Sequence, residues 1–187
     1  MTIDSILNNI YQLPVASLTK IKDNITEVNH PKSHIVIKDN TVEPTIYFIK
    51  SGIVRAYSNL GGTEVTFWFG KESEAIISMR SYIENKKGYE TIELLEDSTL
   101  YKLEAKKLKQ LFLEDIHIAN WGRKFAEQEL IKTEERLISK QFKNATERYL
   151  ELLNTNKDLI KRVQLGHIAS YLGITQVSLS RIRATIK

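Results

Sequence analysis

The period of hydrophobicity changes once along this chain, and that change limits the folds open to it. From about Ile25 to Leu103, short runs rich in β-branched and aromatic residues alternate apolar with polar. From Ala105 onward the apolar residues recur at helical spacing. Strands are expected near residues 25–29, 34–37, 45–49, 53–58, 63–69, 90–94 and 100–103. Asn59-Leu60-Gly61-Gly62 makes a tight hairpin between two of them, because glycine accepts the positive φ such turns require. Many short strands in succession predict an antiparallel sandwich or barrel, not a parallel α/β sheet. Two helices come before them. Ile3, Ile6, Leu7 and Ile10 mark the first, starting near Asp4 or Ser5, and Pro14 separates it from a second over residues 15–21.

Past Leu103 a short helix is expected over residues 105–113 and a long one over 115–139, which has no proline and only Gly122 as a glycine. Its apolar residues fall in two partial stripes, with Ile118 and Phe125 seven apart and Leu130 and Leu137 seven apart. A stripe of that spacing can pack on a twin helix, and Ile118, Trp121 and Phe125 are the residues assigned to such a dimer helix. The alternative is a helix lying on its own β domain, since Gln128 and Glu135 interrupt the seam. A further helix over 145–153 ends at the turn cluster Asn154-Thr155-Asn156. The expected fold class is α+β: an N-terminal antiparallel β domain, a long helix and an all-α C-terminal domain.

Charge divides along the same line. Residues 139–187 carry nine Lys and Arg against three acids, a net +6, so residues 1–138 hold −2 of the chain's +4. After Asp158 there are five basic residues and no acid. A basic, acid-free end on a mildly acidic body suits a polyanion such as double-stranded DNA. The 187 residues suffice for one large domain or two small ones. With no cysteine, disulfides, thiolate metal sites, cysteine-ligated iron–sulfur clusters and cysteine nucleophiles are excluded together. No apolar run is long enough to span a bilayer, and residues 1–5 lack the basic start of a signal peptide, so a cytoplasmic location is expected.

The pattern within the basic end is more specific than its charge. Leu165, Ile168, Ala169 and Leu172 form one apolar helical face, and Gly173 stops that helix. Thr175 is a good N-cap for the next, on which Leu179, Ile182 and Ile186 turn inward. Small Ala169 allows the two helices to cross closely. This is the anatomy of a helix-turn-helix. Gln176, Val177, Ser180 and Arg181 are left outward to meet bases. Arginine can pair with guanine, glutamine with adenine, and valine with a thymine methyl. Gln164, Thr175, Ser178, Arg183 and Lys187 are expected at phosphates, with Lys161 and Arg162 adding positive charge nearby.

Ile168-Ala169-Ser170-Tyr171-Leu172-Gly173-Ile174-Thr175, followed by Leu179-Ser180-Arg181-Ile182-Arg183, resembles the Crp/Fnr regulators, most closely their Bacteroidetes-type members. The resemblance extends through Tyr47-Phe48-Ile49-Lys50-Ser51-Gly52, Arg55-Ala56-Tyr57, Gly62-Thr63-Glu64, Leu95-Glu96-Asp97-Ser98 and Glu147-Arg148-Tyr149. It implies a cyclic-nucleotide-binding-like jelly roll over 1–104, a linker and dimerisation helix over 105–139, and a helix-turn-helix domain over 140–187. It also implies a homodimer on a two-fold symmetric operator, with RNA polymerase and a small effector as further partners. By the same resemblance the base-contacting positions are Gln176, Val177 and Arg181, of which only Arg181 keeps the residue of the cyclic-AMP members. The winged hairpin that often ends the family does not follow here, so its contacts are expected to be absent or supplied otherwise.

The effector pocket suggested by the resemblance falls on Ile77, Ser78, Met79, Arg80, Tyr89 and Glu90. The family's phosphate-binding arginine is missing there, and Glu90 would set a negative charge where a cyclic phosphate lies. Binding of cyclic AMP is not expected unless Arg80 reaches in, and no cofactor is assigned. A cupin-like jelly roll, or a small-ligand-binding one whose helical end docks a protein, is the competing reading. Its enzyme form needs clustered metal ligands, yet His30 and His34 flank Pro31 in β-type sequence, and neither His117 nor His167 joins them. No metal site and no enzymatic activity are expected. Glu93, Glu96 and Asp97 read as solvated carboxylates without assignable partners.

Overall fold

A computed structural model of the chain describes residues 1–186. Helices α1 (Ile3–Ile10) and α2 (Val15–Lys22) lead into strands β1 (Ile25–His30), β2 (Ile35–Ile37), β3 (Ile46–Ser51), β4 (Val54–Leu60), β5 (Thr63–Gly70) and β6 (Ala75–Ile76). After α3 (Met79–Glu84) come β7 (Thr91–Leu94) and β8 (Ser98–Leu103). The rest is helical: α4 (Ala105–Glu114), α5 (Ile116–Phe142), α6 (Ala145–Thr155), α7 (Lys157–Arg162), α8 (Leu165–Leu172) and α9 (Gln176–Thr185). The expected elements are present, with ends shifted by a few residues. β6, α3 and α7 were not anticipated, being too short for a period to show. Thr2 caps α1 by accepting the Ser5 N–H.

The strands form two antiparallel sheets, ordered β1-β8-β3-β6 and β2-β7-β4-β5. Gly61 and Gly62, both at positive φ, close the β4–β5 hairpin, and Asn59 Oδ1 accepts the Gly62 N–H. Ile37, Ile49, Val54, Ala56, Ile76, Ile92, Leu94 and Leu100 fill the space between the sheets. Alternate residues of β3 and β8 point the other way. Ile46, Phe48, Tyr101 and Leu103 pack beneath α1, α2, α4 and the first half of α5. Strand β3 is therefore buried on both faces, which is why Ile46-Tyr47-Phe48-Ile49 reads as a continuous apolar run.

This second layer corrects the assignment of the dimer helix. Ile118 and Trp121 are fully buried within the chain's own fold, and Phe125 packs against the same cluster. The Trp121 indole donates to the Leu7 carbonyl at 2.9 Å, meets Phe48 edge-on and stacks on Phe125. Ile118 and Trp121 are not free to face a twin, and Phe125 is half-buried against the same cluster. The exposed apolar residues of α5 are those of its second half: Leu130 (69% exposed), Ile131, Leu137, Ile138 and Phe142. The two stripes serve different partners, the first covering the sheet and the second facing outward.

Candidate nucleic-acid interface

The C-terminal helices owe their arrangement to local chemistry at two junctions. Gly173 adopts the left-handed conformation, its N–H reaching the Ser170 carbonyl and the Ile174 N–H the Ala169 carbonyl. That paired bonding closes the C-terminus of α8 and lets the chain reverse sharply. Thr175 then caps α9, its hydroxyl accepting the Ser178 N–H at 3.1 Å. Leu179 is fully buried against Ile168, Ala169 and Leu172, with Ile182 and Ile186 packed alongside. Asn144 and Glu147 form a reciprocal capping box that starts α6.

With that face inward, Gln176, Val177 (61% exposed), Ser180 and Arg181 all lie at the surface. Gln164, Thr175 and Arg183 are exposed too, and Ser178 is half-buried with its hydroxyl 3.0 Å from that of Thr175. Lys187 lies outside the described residues. α9 thus displays an amide, an apolar tip, a hydroxyl and a guanidinium side by side, the donor and apolar set that major-groove edges require. Arg162 departs from expectation. Its guanidinium pairs with Glu72 at 2.8 Å and with Glu96, so it is engaged by the β domain.

That pairing is one part of an extensive contact between the helix-turn-helix and the sheet of β4 and β5. Arg55, on β4, is 4% exposed and donates to Glu64 at 2.8 Å and Glu93 at 3.1 Å. Its other terminal nitrogen lies 2.7 Å from Nδ1 of His167 on α8. A guanidinium only donates, so that imidazole nitrogen accepts and His167 is neutral here. Burial, and then the Arg55 charge, push the His167 pKa down. Ser170 accepts the Thr66 N–H and donates to the Glu64 carbonyl. Ile53 and Phe69 join the apolar core of the head, Phe69 lying 5.3 Å from Tyr171. Burial opposes ionisation of Glu72, but bonds from Arg162 and from the Gly52 N–H hold its carboxyl down at about 2. Sequence reasoning missed this contact and left Glu93 and Glu96 as solvated. The available signal was Arg55, a charged residue in the otherwise apolar run Ile53-Val54-Arg55-Ala56.

The expected effector segment is gathered in one place. Ser78 and Gly88 are buried, and the Ser78 hydroxyl bonds that of Ser81 at 3.1 Å. Glu90 is 5% exposed and accepts the Tyr89 N–H at 3.0 Å. A Cβ on Gly88 would stand 3.1 and 3.2 Å from its two carboxylate oxygens, which places that carboxylate directly beside the turn. Ile77 is half-buried, whereas Met79, Arg80 and Tyr89 are exposed. The carboxylate is thus inside and the arginine outside. His30 and His34 stack at 4.0 Å, but among the described residues no three His, Asp or Glu side chains are grouped to hold a metal ion. No described helix is long and apolar enough to cross a membrane.

This geometry has clear relatives. Residues 27–115 match the cyclic nucleotide-binding domain family. The chain is similar over 87% of its length, and 84% of the other's, to FixK2 from Bradyrhizobium japonicum, at 18% identity and a TM-score of 0.74. A putative Crp/Fnr regulator from Eubacterium rectale matches 95% of this chain with 87% of its own, at 20% identity and a TM-score of 0.68. The c-di-GMP-responsive regulator CLP from Xanthomonas campestris matches 92% with 91%, at 15% identity and a TM-score of 0.68. No curated protein matches by sequence. The chain has the cyclic nucleotide-binding fold followed by a helix-turn-helix, and its structural neighbours include a putative transcriptional regulator of the Crp/Fnr family.

Proposed function

We propose that this chain is a homodimeric, sequence-specific DNA-binding transcription regulator of the Crp/Fnr type. The observation that carries the reading is α9, capped, seated by Leu179 and exposing Gln176, Val177, Ser180 and Arg181 together. Arg181 reads a guanine, Gln176 an adenine and Val177 a thymine methyl, with Ser180 beside them. Gln164, Thr175, Ser178 and Arg183 position the head on phosphates. The dimer forms through Leu130, Ile131, Leu137 and Ile138, whose exposure on a 27-residue helix supports a seam there. The β domain is a sensor that does not take cyclic AMP, a reading supported by buried Glu90 and outward Arg80.

Selection from random duplexes followed by footprinting tests the main reading. It should return a two-fold symmetric site with half-sites about one helical turn apart. Arg181→Ala should relax one guanine position at a cost of about 1–3 kcal/mol, and Arg183→Ala should weaken all sites alike. Equal affinity for every sequence would refute it. Tight, saturable calorimetric binding of cyclic AMP would refute the sensor reading alone.

A further inference from the structure

A cavity of about 370 Å³ lies where β5, α5, α6 and the head meet, apart from the Ser78–Glu90 segment. That volume suits a small organic molecule. One wall is apolar, built from Phe69, Leu152 and Leu159, all buried. The charged groups around the edge are mostly engaged. Arg148 donates to the carbonyls of Lys143 and Leu172, Glu151 is held by Ser139 and Lys143, and Lys132 pairs with Glu129. Glu74 accepts the Lys71 N–H, and burial pushes its carboxyl up toward the neutral form.

Arg136 differs. Among the described residues it donates only to Thr133, which leaves most of its guanidinium fork open. Lys140, one turn further on, and Glu135 have no ion pair there either, so the open side chains stand at two cations to one anion. Tyr171 faces the same space, and its hydroxyl has no hydrogen-bond partner among the described residues. Burial pushes that phenol up, so it remains a donor at neutral pH. Thr66, on the cavity wall, also has a buried hydroxyl without a partner.

We propose that this cavity binds a small monocarboxylate with an apolar body. The carboxylate takes the open fork of Arg136 in two parallel bonds and the Tyr171 hydroxyl as a third donor. The body lies against Phe69, Leu152 and Leu159. Because β5 belongs to the β domain and Tyr171 to the head, the bound molecule touches both and fastens one to the other. Lys132 and Ser139 line the cavity from the side of α5 turned away from Leu130 and Leu137, so pairing through that stripe leaves the site open.

The test uses the full chain with benzoate, indole-3-acetate and 4-methylpentanoate, each against its uncharged amide, by calorimetry and thermal shift. At least one acid should bind saturably and raise the melting temperature, its amide binding at least about tenfold more weakly. Arg136→Gln should weaken the acid about tenfold or more, Tyr171→Phe by a smaller factor, and Arg80→Gln, in the other segment, not at all. The proposal is overturned if none of the three acids saturates. It is equally overturned if acid and amide bind alike, or if Arg80→Gln removes binding that Arg136→Gln leaves intact.

Discussion

Replacing Arg55 by methionine isolates what holds the helix-turn-helix head to the β domain. Methionine keeps most of the packing of the buried stem and removes the guanidinium. Three polar contacts go with it, to Glu64, Glu93 and His167 Nδ1, together with the stacking of the charge 4.0 Å from the Tyr57 ring. A fully buried pair broken on one side costs roughly 3–5 kcal/mol, because the remaining charge is stranded. Here the stranding is milder, since the Glu64 side chain is 49% exposed and that of Glu93 19%, so both regain water. The His167 bond and the cation–π contact are lost outright, at about 1 kcal/mol each. The net expectation is a loss of about 2 kcal/mol, or roughly 4–8 °C in melting temperature for a chain of this size. The loss should be local: amide exchange should quicken in α8 and in the edge of β5, while β8 in the opposite sheet stays protected. A melting temperature within about 1 °C of the parent, with unchanged exchange in α8, would show that Arg55 does not hold the head.

The other expectations are read on separate features. His167 has its pKa lowered in the docked head, so docking is complete above the ordinary value of 6.5 and weakens as pH falls below it. His167→Gln keeps an acceptor for Arg55 and should abolish that part of the pH dependence of α8 exchange; a persistent profile would place the titrating group elsewhere. Leu137→Asp should produce monomers in sedimentation without lowering the melting temperature of the β domain, whereas Phe125→Glu should lower it by disrupting the packing on Trp121. Gly173→Ala meets no atom within 4 Å but must hold φ at 68°, so it should cost about 1 kcal/mol in urea unfolding and no more.

The parts of the fold that were legible in the sequence are those decided by neighbours along the chain. Gly173 and Thr175 mark a helix end and a helix start within three residues, and the chemistry at both junctions is local. The strands showed themselves through alternation, and the hairpin through paired glycines. What stayed hidden depends on residues far apart. Glu72 and Glu96 meet Arg162 across 90 and 66 positions, and His167 meets Arg55 across 112. A carboxylate that clamps two domains and one that faces water have the same sequence signature. The two stripes of α5 were visible as a pattern, but which one met the chain's own sheet depended on where α1 and α2 fold back. That choice is settled by Leu7 offering its carbonyl to Trp121.

Strand β5 lies at the edge of its sheet, hydrogen-bonded to β4 on one side only. Its free side is met by Ser170, which accepts the Thr66 N–H and donates to the Glu64 carbonyl as a neighbouring strand would. An aromatic edge such as Thr66-Phe67-Trp68-Phe69 is otherwise a template for pairing with another chain. The head therefore acts as a cover for that edge. Any state in which it swings away must supply a substitute for that serine, or accept an open edge prone to self-association. A chain built this way carries its safeguard against aggregation on the same helix hairpin that displays Gln176, Val177, Ser180 and Arg181.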